Sequence, residues 1–172
     1  MVKTFCDWVI RHSDMAGEFV IKPSKLGGNG LFAVKAFPKG SVLMRLDGVK
    51  INGDEAGKLP DNDRKNLLQI GTDLFLDLRG RSHFFINHSC SPNCYVKVLV
   101  GTAFLMSAIP IGAGSEILID ASLTNLSLGD LTECRCGSFG CRKTISTFQS
   151  LPEKTRNRYI ELGMVPKFVL GK

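Results

Sequence analysis

The 172-residue sequence has no internal repeat and no low-complexity tract, which excludes a solenoid and a disordered chain. It has no apolar leader either. Asp7 and Arg11 break the stretch from Met1 to Asp14, so no signal peptide is expected there. No stretch is long enough and loop-like enough to link two separate domains. Charge is missing altogether from Val98 to Ser115, a segment that reaches membrane-span length. Gly101, Pro110, Gly112 and Gly114 punctuate that segment, and β-branched residues are frequent in it. Two buried strands with turns are therefore expected, and no membrane partner. Without a secretory signal, the six cysteines are not read as a disulfide framework.

What is present suits one domain with a single core: 44% of residues are hydrophobic and 22% charged. The net charge of +6 is unevenly spread. Residues 1–60 carry nine basic and six acidic side chains, and residues 142–172 carry seven and two. The middle, 61–141, carries six and eight, and would attract a basic peptide. The basic end could touch nucleic acid, but a charge run alone is weak evidence and a solvated surface is the favoured reading.

Most segments read as short strands: Glu18–Lys22, Leu31–Val34, Val42–Leu46, Leu74–Leu78, Tyr95–Val100 and Ala103–Ala108. Glycine-bearing turns lie at Gly27–Gly30, Lys39–Gly40, Asp47–Gly48 and Gly112–Gly114. A helix is expected over Asp61–Ile70, with Asp61 as its cap. Another is expected from Ser150, where Ser150 and Glu153 would form a capping box and Pro152 would fit the first turn. Gly163 would end that helix, and Leu151, Tyr159 and Leu162 would face the domain. The fold class is mainly β with few short helices.

Three segments carry chemistry. Gly28-Asn29-Gly30-Leu31-Phe32-Ala33 allows a backbone to approach a ligand closely, although a plain glycine turn reads the same way. Phe85-Ile86-Asn87-His88-Ser89-Cys90-Ser91-Pro92-Asn93-Cys94 crowds polar groups between apolar strands, as a binding loop would. Cys134-Arg135-Cys136-Gly137-Ser138-Phe139-Gly140-Cys141 offers three thiolates in one loop. Tetrahedral zinc needs four ligands, and Cys90 is the natural fourth. Cys6 and Cys94 are left as small buried side chains or free thiols.

Taken together, GNGLFA, NHSCSPN, GSEILID and CRCGSFGCR occur in the order and rough spacing of a SET domain followed by a post-SET motif. The chain thus resembles the SET-domain lysine methyltransferases over about residues 17 to 145. Its end resembles the helix that follows post-SET in some small stand-alone members. The resemblance implies an organisation of four parts: an extension over 1–16, a SET domain over 17–125, a zinc-binding post-SET segment over 126–145, and a C-terminal helix and tail over 146–172. It implies small β-sheets with a pseudoknot, in which the NHSC segment crosses the strand near Glu116. It implies S-adenosylmethionine as cofactor, held by Asn29, Gly30, Leu31, Phe32, Asn87 and His88. It also implies one structural zinc shared by Cys90, Cys134, Cys136 and Cys141. The partner would be a protein with a lysine in a basic segment, such as a histone tail. The compartment would be intracellular, nuclear in a eukaryote and otherwise cytoplasmic.

The sequence departs from the family pattern at its aromatics. The family's catalytic tyrosine falls on Ala121, and the aromatic two residues before it falls on Ile119. The arginine often found before FINHSC is Phe84, and an early aromatic falls on Leu46. Three functions follow: methyl transfer to protein lysine, a SET-fold binding module without turnover, and a zinc-stapled nucleic-acid or chromatin adaptor. In the first, Tyr95 or Tyr159 could supply a displaced hydroxyl.

Overall fold

The structure, a computed structural model, describes residues 17–64, 66–126 and 132–171. The expected N-terminal extension, with Cys6, lies outside the described residues. Strands β1 (Phe19–Pro23) and β2 (Asn29–Ala33) form a hairpin. Its turn is closed by Gly27 and Gly28, both at positive φ (109° and 61°). A three-stranded antiparallel sheet sets β3 (Val42–Leu46) beside β9 (Thr102–Ser107), and β9 beside β8 (Cys94–Leu99). A second one places β6 (Leu74–Asp77) between β4 (Val49–Ile51) and β5 (Leu67–Gly71).

All six expected strands form, with ends displaced by a residue or two. The charge-free segment after Val98 is half of the β8–β9 hairpin and the loop beyond it. Val100 and Gly101 turn that hairpin at positive φ (46° and 67°), the two-residue geometry that matches strand twist. Among the described residues no helix is long and apolar enough to cross a membrane.

The helices differ from expectation. α1 (Gly53–Gly57) carries a capping box that was not foreseen: Asn52 Oδ1 accepts from Glu55 N–H, and Glu55 Oε2 accepts from Asn52 N–H, both at 2.9 Å. α2 spans only Asp61–Arg64, and Leu67–Ile70 of the expected helix belong to β5. Leu68 and Ile70 are buried by pairing with β6 across a short turn, and this tertiary pairing overrides local propensity. α3 (Glu153–Glu161) starts at Pro152 as cap, and the Ser150–Glu153 capping box is not made. Leu151 instead stays extended and buried, while the Ser150 hydroxyl bonds that of Thr147 at 3.0 Å. Gly163, at φ 65°, ends the helix as expected. Leu162 is exposed, and Met164 takes the inward place expected of it.

Two apolar clusters result. The larger joins the two three-stranded sheets with β2 through Leu31, Leu43, Leu46, Leu76, Val96, Leu105 and Ile117. The smaller packs Phe148, Leu151, Tyr159, Met164 and Val169 around Leu123. The C-terminal helix is thereby fixed to the segment that follows residue 120. His83, in the short helical turn Ser82–Phe85, lies buried, and its Nε2–H donates to the Asp47 carbonyl at 2.5 Å. Burial lowers its pKa against the opposing pull of Asp47, so it is held as a neutral donor.

Candidate functional site

The expected binding segments meet at one crossing. β7 (Asn87–His88) pairs in parallel with β10 (Leu118–Ile119), and the preceding residues 114–117 run along the free edge of β2. Ile117 N–H donates to the Leu31 carbonyl (2.8 Å), and Ala33 N–H to the Ser115 carbonyl (2.9 Å). Asn93 locks the crossing: its Nδ2 donates to the Glu116 carbonyl (2.7 Å) and its Oδ1 accepts from Leu118 N–H (2.8 Å). Its place in the NHSCSPN run carried no hint of this clamp.

The six residues expected at the cofactor divide in two. Asn29, Gly30, Asn87 and His88 are brought together, with Asn87 Nδ2 donating to the Asn29 carbonyl at 3.1 Å. The Leu31 side chain is fully buried in the core, and its carbonyl accepts from Ile117 N–H. The Phe32 ring is half-buried and carries the Lys22 ammonium 4.3 Å above its centroid.

His88 Nδ1 accepts from Ala121 N–H at 3.1 Å, which places its proton on Nε2, 3.5 Å from Cys90 Sγ. Burial lowers its pKa, with Asp120 opposing, so the ring is neutral. The 3.6 Å approach of Nδ1 to Asp120 is therefore not an ion pair. Asp120 is 1% exposed and fully engaged. It accepts from Arg142 Nη2 (2.8 Å), from Tyr159 OH (2.9 Å) and from Ser122 N–H (3.1 Å). Burial and the Asp120 charge raise the Tyr159 pKa, so its hydroxyl is a fixed donor. The other tyrosine, Tyr95, packs half-buried against the C-terminal cluster. Of the two hydroxyls considered for a displaced catalytic role, that of Tyr159 reaches the neighbourhood of Ala121, but it is committed to Asp120.

The cysteines also converge. Cys134 Sγ lies 3.7 Å from both Cys90 Sγ and Cys141 Sγ. Zinc–sulfur bonds of about 2.3 Å give a tetrahedral edge of about 3.8 Å, so these spacings fit a shared ion. Backbone N–H groups point at the sulfurs: Cys90 N–H at Cys136 Sγ, Arg142 N–H at Cys90 Sγ and Lys143 N–H at Cys141 Sγ, each at 3.4 Å. Such donors favour thiolates. Burial pushes the Cys134 thiol up. Burial works the same way on Cys136, but the N–H of Cys90 and the hydroxyl and N–H of Ser138 outweigh it and pull that thiol down. His88 enters the same cluster: its ring and the sulfurs of Cys90, Cys134 and Cys136 lie within 4.8 Å of one another. Cys94 stands apart, fully buried in the main core with its thiol pushed up to about 12 by burial.

Comparison with known proteins decides the family. The sequence pattern described as "SET domain" matches residues 28–120, more than half of the chain. The chain belongs to the SET-domain family. Its described sheets share a fold with SUVH6 of Arabidopsis thaliana, solved in complex with SAM, at a TM-score of 0.66 and 24% identity over 74% of this chain and 33% of that one. This SET chain is 28% identical to the histone-lysine N-methyltransferase Su(var)3-9 of Drosophila melanogaster, over 80% of its own length. It is 27% identical to human histone-lysine N-methyltransferase 2D, over 70% of its own length. It spans about a quarter of the first relative (26%) and 2% of the second.

Proposed function

We propose that this SET chain binds S-adenosylmethionine and transfers its methyl group to a lysine of a basic protein segment, with a histone as the first substrate to try. The observation that carries this is the crossing of Asn87–His88 with Leu118–Ile119 against the Asn29–Gly30 end of β2, in a chain whose relatives are named for this activity. When bound, the cofactor would supply a sulfonium methyl that a neutral lysine amine can attack in line, with the neutral thioether of S-adenosylhomocysteine as the leaving group. The protein's work is then to bind, align and dehydrate. Asn29, Gly30 and the Leu31–Phe32 backbone form one wall of the cofactor site, and Asn87 and His88 the other. A free lysine, with a pKa near 10.4, is neutral in roughly one molecule in 2,500 at pH 7. Apolar neighbours such as the half-buried Ile119 and Ala121 favour that neutral form. Alignment supplies much of the remaining rate.

Ala121 offers no hydroxyl to orient the amine, and the Tyr159 hydroxyl is taken by Asp120. Turnover is therefore expected to be slow. The zinc belongs to the same proposal. Cys90, Cys134, Cys136 and Cys141 would hold it and so tie the NHSC turn to the loop between β11 (Thr132–Glu133) and β12 (Thr144–Ile145). In a eukaryotic cell a histone substrate would place the protein in the nucleus. The division at residues 16, 125 and 145 is part of this reading.

The experiment is methyl transfer from labelled cofactor to histones and a basic-peptide array, by the wild type and by Ala121→Tyr. Slow transfer by the wild type, raised in the variant at unchanged cofactor affinity, is the expected result. Cofactor binding with no transfer by either protein would favour a binding module. Fast wild-type transfer would show that no tyrosine is needed at this position.

A further inference from the structure

The sheet of β3, β9 and β8 has one face in the main core and the other turned outward. Leu46, Val96, Ala103 and Leu105 point into the larger apolar cluster. The smaller cluster covers the outward face at Tyr95. Beyond Tyr95 the next outward row is Arg45, Phe104 and Lys97. Arg45 pairs with Phe104, and Phe104 with Lys97. Directly paired residues share a face, so the three side chains stand side by side across three strands.

Arg45 and Lys97 are exposed, and Phe104 is half-buried. Neither cation forms an ion pair or hydrogen bond with any described residue. Among the described residues, neither apolar cluster includes Phe104. An aromatic ring thus lies open between two uncompensated charges. Strand spacing sets the two outer residues about 10 Å apart at the backbone. At the tip of the same hairpin, Leu99 is 51% exposed. Two cations alone would read as a solvated sheet face. The ring between them adds a second kind of contact, a flat apolar one.

We propose that this row is a docking surface for single-stranded nucleic acid, with an unpaired base stacked on Phe104 and the flanking phosphates on Arg45 and Lys97. The chemistry of the row selects this partner. Cations attract any polyanion, and the net charge of +6 favours one. The ring narrows the choice. A duplex hides the faces of its bases, and an acidic peptide offers the ring no planar partner. Every base has a face to stack, so the recognition is sequence-tolerant. None of the three residues belongs to the proposed cofactor walls or to the sulfur cluster, so this binding is separate from methyl transfer.

The test is fluorescence anisotropy of the full chain with a labelled oligothymidylate of about 15 nucleotides and with a duplex of the same length. The wild type is expected to bind the single strand at least about fivefold more tightly than the duplex, a reading that needs no variant. Phe104→Leu should weaken single-strand binding by roughly fivefold or more and leave its salt dependence unchanged. Arg45→Gln together with Lys97→Gln should lower the slope of log affinity against log salt by about 1.4, as expected for two lost phosphate contacts. Melting curves that match the wild type show that the variants are folded. Duplex binding as tight as single-strand binding overturns the proposal, and so does an unchanged affinity in Phe104→Leu. An equal loss from Lys154→Gln with Arg158→Gln, two cations of α3, would move the contact to the C-terminal helix and overturn it too. Binding to mixed phosphatidylserine and phosphatidylcholine vesicles, with none to the oligonucleotide, would mark a membrane contact instead.

Discussion

Asp120 shows how much rests on a single side chain. It is fully buried, and the C-terminal helix, the cysteine loop and the segment after β10 each donate to it through Tyr159, Arg142 and Ser122. Arg142 compensates its charge, and a buried pair of this kind is worth little against apolar packing but costs much when broken on one side. Tyr159→Phe leaves Asp120 Oδ2 without its hydroxyl donor, at a cost of about 1–3 kcal/mol. A chain of this size loses about 2–4 °C of Tm per kcal/mol. The melting temperature of Tyr159→Phe should therefore fall by several degrees, with zinc content unchanged. An unchanged melting temperature would show that the hydroxyl is not bonded to Asp120.

At the scale of elements, the cysteine loop between β11 and β12 and the NHSC turn are held as one unit by their sulfurs. Two ligand sets are candidates: His88, Cys90, Cys134 and Cys136 have ligand atoms within 4.8 Å of one another, whereas Cys141 is placed by its distance to Cys134 alone. Four thiolates use Cys141, whose Sγ stands 3.7 Å from that of Cys134. The alternative replaces Cys141 by His88, whose Nε2 stands 3.5 Å from Cys90 Sγ. The Ala121 N–H already engages the other ring nitrogen, and Lys143 N–H points at Cys141 Sγ, and these two contacts support the four-thiolate set proposed above. Elemental analysis should find one zinc per chain in the wild type and in His88→Ala, and much less in Cys141→Ser. Retention in Cys141→Ser with loss in His88→Ala would reverse the assignment.

The same elements show what the sequence could reveal. Strands were legible where apolar residues ran between glycine turns, as at Val42–Leu46 and across the β8–β9 hairpin. The crossing of NHSC with residues 116–119 was legible only through family resemblance, because a two-residue parallel pair has no periodicity of its own. The false part of the helix expected over Asp61–Ile70 rested on Asp61 as a cap, but Leu67–Ile70 was claimed by a neighbouring strand. The false capping box at Ser150 had the right residues, but Leu151 was drawn into a cluster. Asn93 and Arg142 gave no sign of their roles, since those arise from partners between 20 and 25 positions distant.

Across the whole molecule, the proposed cofactor walls and the sulfur cluster share the stretch from Asn87 to Cys90, and both reach Asp120. Loss of any one support should loosen the others, so binding energy and stability are coupled here. The measurement that tests the account most directly is a calorimetric titration of zinc-replete protein with S-adenosylmethionine, wild type beside Asn87→Ala. The account expects one site per chain in the wild type and an affinity lower by roughly tenfold or more in the variant, whose half-buried partners lose the amide. No binding by the wild type, or equal binding by both proteins, would contradict it.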